Sequence, residues 1–223
     1  MSDNDQIVIN PTGGAPADAC MIILHGLGAD GHDFEPVAQM LSRPDYAQVR
    51  FIMPHAPRLA VTVNGGMVMP AWYDILEMSL DRRVDEEQLR RSAQRIQAII
   101  REQIAAGIDS RRILLAGFSQ GGAVAYEAAL SLDQPLGGLL AMSTYLATAD
   151  SVSLAEANRG LPIEIHHGNM DPVVPEALGR AAHARLETLG YTPDYRQYPM
   201  AHAVCPQQIA DIGEWMTSRL RPC

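Results

Sequence analysis

Residues 113–122 read Ile-Leu-Leu-Ala-Gly-Phe-Ser-Gln-Gly-Gly. The first four form a short apolar run of the kind that makes a buried strand, and the segment from Gln120 to Leu130 is rich in Gly and Ala at helical length. Small side chains let such a helix lie close against a sheet. Between the two sits Gly117-Phe118-Ser119-Gln120-Gly121, a G-x-S-x-G pentapeptide. Composition alone produces that pattern in about one chain in ten of this length, so its context carries the weight. A serine on a sharp strand-to-helix turn is held in a strained conformation, and flanking glycines relieve clashes with the neighbouring strand and helix. An ordinary turn with a capping serine is the bland alternative.

Outward from this point, β-rich runs alternate with helical patterns. Upstream, Ile7 to Asn10, Met21 to Leu24 and Arg50 to Met53 read as strands, with Phe34 to Leu41 a helix. From Val84 to Ala106 apolar residues recur on one face (Leu89, Ala93, Ile96, Ile100, Ile104), Asp85 with Gln88 resembles a capping box, and Gly107 supplies the stop. Glu87 and Arg91 place an i, i+4 pair on its solvated face. Downstream, Gly138 to Met142, Ile163 to His167 and Asp194 to Tyr198 read as strands, and Glu176 to Leu189 and Gln207 to Leu220 as helices. This alternation predicts right-handed crossovers and a mainly parallel, twisted sheet with helices on both faces. Residues 54–73 break the pattern with Pro54, Pro57, Pro70 and Gly65-Gly66, which predicts a long loop or hairpin. No repeat or linker marks a second unit, so residues 1–223 are expected to form one domain.

A serine hydroxyl needs a base, and the base needs an orienting acid. On sheets with such an elbow the order is Ser, Asp or Glu, then His, each at the carboxyl end of a strand. Asp171 follows the strand ending at His167, and His202 lies in the loop after Tyr198. Either alone reads as a turn aspartate or a loop histidine; the ordered trio is much rarer by accident. Acyl transfer also needs N–H donors for the oxyanion. One falls at Gln120, after the serine, and the second is expected at Leu27 within Leu24-His25-Gly26-Leu27-Gly28, which lacks the spacing of a phosphate loop.

Composition fits this chemistry. The chain has 223 residues, 47% hydrophobic and 19% charged, with a net charge of −9. Those values describe a folded globular protein, and acidity without a basic cluster argues against nucleic acid or an anionic membrane as partner. Three widely spaced cysteines, Cys20, Cys205 and Cys223, form neither a disulfide framework nor a metal motif. With a polar, acidic start and no long apolar run, a cytoplasmic location without membrane insertion is expected. His166 and His167 are adjacent on a strand and so point to opposite faces, and His25, His32, His55 and His183 lack zinc-ligand spacing. Neither metal nor cofactor is expected. Cys205 reads as a buried inert thiol rather than a second nucleophile.

The segments LHGLGAD (24–30), NGGMVMPAWYDI (64–75), LAGFSQGG (115–122), HGNMDPVVP (167–175) and YPMAHAVCP (198–206) resemble the carboxylesterase/phospholipase family that contains bacterial carboxylesterase II and the acyl-protein thioesterases. The resemblance spans nearly the whole chain in order. It implies an α/β-hydrolase fold without a separate cap domain, with Ser119, Asp171 and His202 as triad and Leu27 and Gln120 as oxyanion donors. One departure is Ala201, where the family usually has Gly. The expected activity is a serine carboxylesterase acting on ester or thioester substrates of short to medium acyl chains through an acyl-enzyme. A lysophospholipase or acyl-protein thioesterase is the alternative within the class; a noncatalytic hydrolase-fold binding protein or a cofactor-free haloperoxidase are the rivals outside it. The segment 54–80 is expected to cover the acyl group, with Met67, Met69 and Trp72 as candidate contacts, although Met is as often core filler and Trp72 as readily a loop anchor. The substrate is a small-molecule or lipid ester, and the oligomeric state is left open, a homodimer included.

Overall fold

A computed structural model of the protein describes residues 5–12, 14–42, 47–77 and 82–221. Its strands are β1 (Gln6–Ile9), β2 (Ala19–Leu24), β3 (Val49–Pro54), β4 (Arg58–Val61), β5 (Met67–Pro70), β6 (Ile113–Phe118), β7 (Gly138–Met142), β8 (Ile163–Gly168) and β9 (Asp194–Tyr198). The helices are α1 (Glu35–Leu41), α2 (Glu86–Ala105), α3 (Gln120–Leu130), α4 (Glu176–Thr188) and α5 (Pro206–Leu220). Seven strands form one sheet in the order β1-β3-β2-β6-β7-β8-β9, parallel except for the antiparallel β1–β3 pair, and β4 and β5 make a separate hairpin. The predicted loop or hairpin over 54–73 is therefore a hairpin.

The central strands are apolar on both sides because both sides are covered. All six residues of β2 are buried, as an interior parallel strand requires. Cys20, Ile22 and Leu24 face the layer that carries α2, α3 and α4, whereas Ala19, Met21 and Ile23 face α1 and α5. Helix α3 is buried along its whole length, and its small residues permit that. Helix α2 instead buries one stripe, including Leu89, Ala93, Ile96 and Ile100. Each such Leu or Ile contributes roughly 1.5–3 kcal/mol. The expected capping box at its start is half made. Asp85 accepts the Gln88 N–H (2.9 Å), but the Gln88 side chain turns away to accept the Asp74 N–H (2.9 Å).

Register brings the loops of interest together. β2 pairs with β6 so that Leu24 opposes Gly117, which sets residues 25–28 beside Ser119. The chain leaves β2 toward β3 on one side, while β6 lies on the other, so this is a switch point where parallel sheets open a crevice beyond their carboxyl ends. β8 pairs with β9 so that Gly168 opposes Tyr198. Two further bonds, Asn169 N–H to Tyr198 O (2.9 Å) and Met170 N–H to Met200 O (3.2 Å), carry that pairing into the loops that bear Asp171 and His202. No described helix is long and apolar enough to cross a membrane.

Candidate active site

Ser119 has φ 54° and ψ −121°, a left-handed conformation that a non-glycine residue holds at a cost of about 1–3 kcal/mol. The surroundings enforce it. Its N–H donates to Met142 O (2.9 Å), and its carbonyl accepts the Thr144 hydroxyl (2.6 Å) and the Gly122 N–H (3.0 Å). Neighbouring glycines are fixed by close approach: a Cβ on Gly117 would lie 2.4 Å from Gly121 O, and one on Gly121 would lie 2.5 Å from His25 O.

Ser119, His202 and Asp171 form one hydrogen-bonded chain. Ser119 Oγ lies 3.0 Å from His202 Nε2, and His202 Nδ1 lies 2.7 Å from Asp171 Oδ2. The other Asp171 oxygen accepts the N–H groups of Val173 and Val174 (both 2.9 Å), which fixes the carboxylate plane. The Asp171 side chain is fully buried and that of His202 is 17% exposed, so the chain is closed at its carboxylate end and open to the groove at Ser119 and His202. The His202 ring packs on Phe118, with centroids 4.7 Å apart. Nearby, His167 donates from Nε2 to Val174 O (2.8 Å), and its burial lowers its pKa and keeps it neutral beside Asp171. A hydroxyl placed against an imidazole whose far nitrogen is held by a buried carboxylate can attack a carbonyl carbon while its proton passes to the ring.

The N–H groups of Leu27 and Gln120 have no acceptor among the described residues, as the first turn of α3 requires for Gln120. They are held by contacts that sequence patterns do not show. His25 is wholly buried; it accepts the Ala56 N–H at Nε2 (3.0 Å) and donates from Nδ1 to Gly26 O (2.7 Å). Burial lowers its pKa, the carboxylates of Asp30 and Asp33 act in the opposite direction, and the hydrogen bonds suit the neutral ring. Gly28, at φ +77°, donates to Pro70 O (2.8 Å), which ties this loop to the hairpin. The Gln120 side chain accepts the Trp72 N–H (2.8 Å) and donates to Tyr73 O (2.7 Å), and the Trp72 indole donates to His25 O (2.8 Å). Both predicted donor loops are thus bolted to residues 72–73.

A groove of about 580 Å³ opens over Ser119 and His202. Its apolar walls come from Leu27, Phe34, Val37, Phe118, Val204 and Ile209, that is, from α1, α5, the end of β6 and the neighbouring loops. Met67, Met69 and Trp72 do not line it, contrary to expectation. Trp72 is 1% exposed and spends its indole on His25; Met67 points to solvent at 63% exposure; Met69 accepts a bond from Asn64 Nδ2 (3.2 Å) within the hairpin. The hairpin buttresses the Leu27 loop from behind, and residues 78–80 of the expected covering segment lie outside the described residues. A larger cavity of about 690 Å³ sits at the opposite ends of β8 and β9; its one lining serine, Ser218, lies on α5, and no described histidine lines it. Size does not mark the site here.

His166 contacts Glu164 and Tyr198, whereas His167 contacts Val174 on the α4 side, so the adjacent pair does point to opposite faces. Among the described residues no group of three or more His, Cys, Asp or Glu could hold a metal. Cys205 is half-buried at the start of α5 rather than fully enclosed, and Cys223 lies outside the described residues. Ala201 is not among the positive-φ residues, so the alanine introduces no backbone strain where the family usually has glycine.

A mainly parallel sheet carrying a strained serine at its central strand-to-helix turn defines an α/β-hydrolase. The chain belongs to the phospholipase/carboxylesterase family, whose profile matches residues 4–219, and it is a hydrolase of the esterase and thioesterase class. It is 37% identical over 215 residues to acyl-protein thioesterase 1 of Gibberella zeae, covering 92% of each chain. It is 35% identical over 222 residues to acyl-protein thioesterase 1 of Cryptococcus neoformans, covering 91% of this chain and 93% of that one. Among solved structures, Arabidopsis thaliana SOBER1 superposes with a TM-score of 0.85 at 28% identity, covering 91% of this chain and 99% of the other. Acyl-protein thioesterase 2 of Zea mays superposes at 0.84 and 24% identity, covering 96% and 98%, and supports the fold alone.

Proposed function

We propose that this protein hydrolyses fatty thioesters on protein cysteines through an acyl-enzyme on Ser119. The hydrogen-bonded chain Ser119–His202–Asp171 at the floor of an apolar groove carries this reading. The thioesterase relatives at 35–37% identity favour it over a general carboxylesterase of short chains. In the reaction Ser119 Oγ bonds to the thioester carbonyl carbon as its proton moves to His202 Nε2. The oxyanion that forms is met by the N–H groups of Leu27 and Gln120, the latter at a helix N-terminus. Collapse breaks the carbon–sulfur bond, and the departing thiolate takes the proton from His202. Water then attacks the acyl-serine, again giving its proton to His202; the bond from the acyl carbon to Ser119 Oγ breaks, His202 returns the proton to Oγ, and the fatty acid leaves. Asp171 holds the ring with Nδ1–H toward it and stabilises the imidazolium.

The test is a matched pair of substrates with the same octanoyl chain, one an S-acyl cysteine peptide and one an O-acyl serine peptide. Thioester cleavage at a higher kcat/KM than the oxygen ester, beyond the difference in uncatalysed lability, is expected. Cleavage of simple p-nitrophenyl esters with no action on the thioester peptide would return the protein to a carboxylesterase reading.

A further inference from the structure

Among the described residues the groove over Ser119 carries one carboxylate, Asp33, in the turn between β2 and α1. Its neighbours leave it unused. The turn is already capped by Asp30, whose Oδ1 accepts the His32 N–H (2.8 Å), and Asp33 has neither a hydrogen bond to its side chain nor an ion pair among the described residues. Among the described residues no arginine lines the groove, and the chain contains no lysine that could swing across to neutralise it. Its field reaches His25, the residue that leads into the Leu27 loop. A fixed negative charge there opposes the oxyanion that an acyl-transfer step must form. Such a charge is useful when the substrate brings its own cation, and a fatty acyl chain has none, so the cation belongs to the leaving group.

We infer that Asp33 selects substrates whose leaving group is positively charged, which for a protein thioester means Arg or Lys beside the acylated cysteine. The inference rests on the proposed thioesterase reading for the identity of the leaving group, but not for the charge preference itself. Asp33 is exposed, so the preference is modest, about 3- to 5-fold in kcat/KM, and weakens with salt.

Two substrate pairs test it, each comparing a cation with a neutral isostere: S-octanoyl peptides with Arg or citrulline beside the cysteine, and octanoyl choline against 3,3-dimethylbutyl octanoate. The intact protein is expected to prefer the cationic member of each pair, and 0.5 M NaCl to shrink that preference. In Asp33→Asn the cationic substrates should slow while the neutral ones hold or quicken. A structural role would slow both alike, and parallel loss, or an unchanged ratio in the variant, overturns the inference. A charge preference among the esters with no cleavage of either peptide would refute the thioesterase reading and leave the role of Asp33 standing. Equal rates within the ester pair sink that role whatever the peptides do.

Discussion

The elbow between β6 and α3 and the hairpin of β4 and β5 are both punctuated by glycines, yet they are held in opposite ways. At the elbow the space is full: a Cβ on Gly121 would meet two backbone carbonyl oxygens of the β2 end at 2.5 and 2.6 Å. At the hairpin the space is empty, for nothing lies within 4 Å of a Cβ on Gly65, and Val68 next to Met67 is 55% exposed. The elbow is over-determined by the elements around it, so it can keep a serine in a conformation the serine alone would leave. The hairpin is set by its own turn residues and ladder, and it acts on the site through one bond, Gly28 N–H to Pro70 O.

The largest effect should come from the elbow's serine. Ser119→Ala is expected to lower kcat by about 10⁴-fold or more, as loss of the nucleophile does in other triads. Stability should barely change, since alanine at φ 54° is as strained as serine. Ser119→Gly should be equally inactive but more stable than the alanine variant by about 1 kcal/mol, because glycine adopts that φ freely. Urea melts of the two variants decide this, and equal midpoints would mean the elbow stores no strain.

Next comes Gly121→Ala, whose Cβ must displace β2 backbone rather than a flexible side chain. A loss of about 3 kcal/mol is expected, with activity falling because the Leu27 loop moves with β2. Gly65→Ala, at φ +66° in open space, should cost only about 1 kcal/mol and leave kcat unchanged. Similar losses in both would erase the contrast between the two regions.

These two regions also divide what the sequence made legible. The elbow, the order Ser119, Asp171, His202 and the strand-helix alternation are local or periodic signals, and element ends fall within about two residues of the pattern-based ones. The contacts of Gln120, His25 and Trp72 carry no such signal, because each partner lies tens of residues away and any Gln, His or Trp reads the same until the chain is folded. The groove walls went unrecognised for the same reason. Phe34 and Val37 look like core positions of an amphipathic helix, and only the crossing of α1 over the sheet end brings them near Val204 and Ile209. Ser143, buried at φ 46° after β7 with no hydroxyl partner among the described residues, has no sequence signature at all.

Acid should separate the regions further. Burial lowers the pKa of His25 and of His167, both at the catalytic end, whereas the hairpin has no histidine. Well above about pH 6.5 these rings are neutral in both folded and unfolded chains and contribute no pH dependence. Below it the unfolded chain takes up protons that the folded one refuses, so stability falls as pH drops, by up to about 1.4 kcal/mol per pH unit for each ring. Denaturant midpoints at pH 8.5, 7.5 and 5.5 should be nearly level over the first interval and drop over the second. A level profile throughout would mean that the two rings protonate in place.

The smallest effect is expected at the hairpin's exposed edge. If the hairpin covered the acyl chain, trimming Met67 would remove apolar contact worth about 0.8 kcal/mol per methylene, and long chains would suffer more than short ones. The structure instead puts Met67 in water and builds the groove from α1 and α5, so Met67→Ser should change stability by less than about 0.5 kcal/mol and kcat/KM by less than about 2-fold at every acyl length. Val37→Ser makes the opposing measurement. It lies in the groove wall, so its penalty should grow from acetyl to octanoyl esters and level off once the chain outruns the groove. A length-dependent penalty from Met67→Ser with a flat response from Val37→Ser would show that the hairpin folds over the bound chain, and would restore the role that the sequence pattern suggested for it.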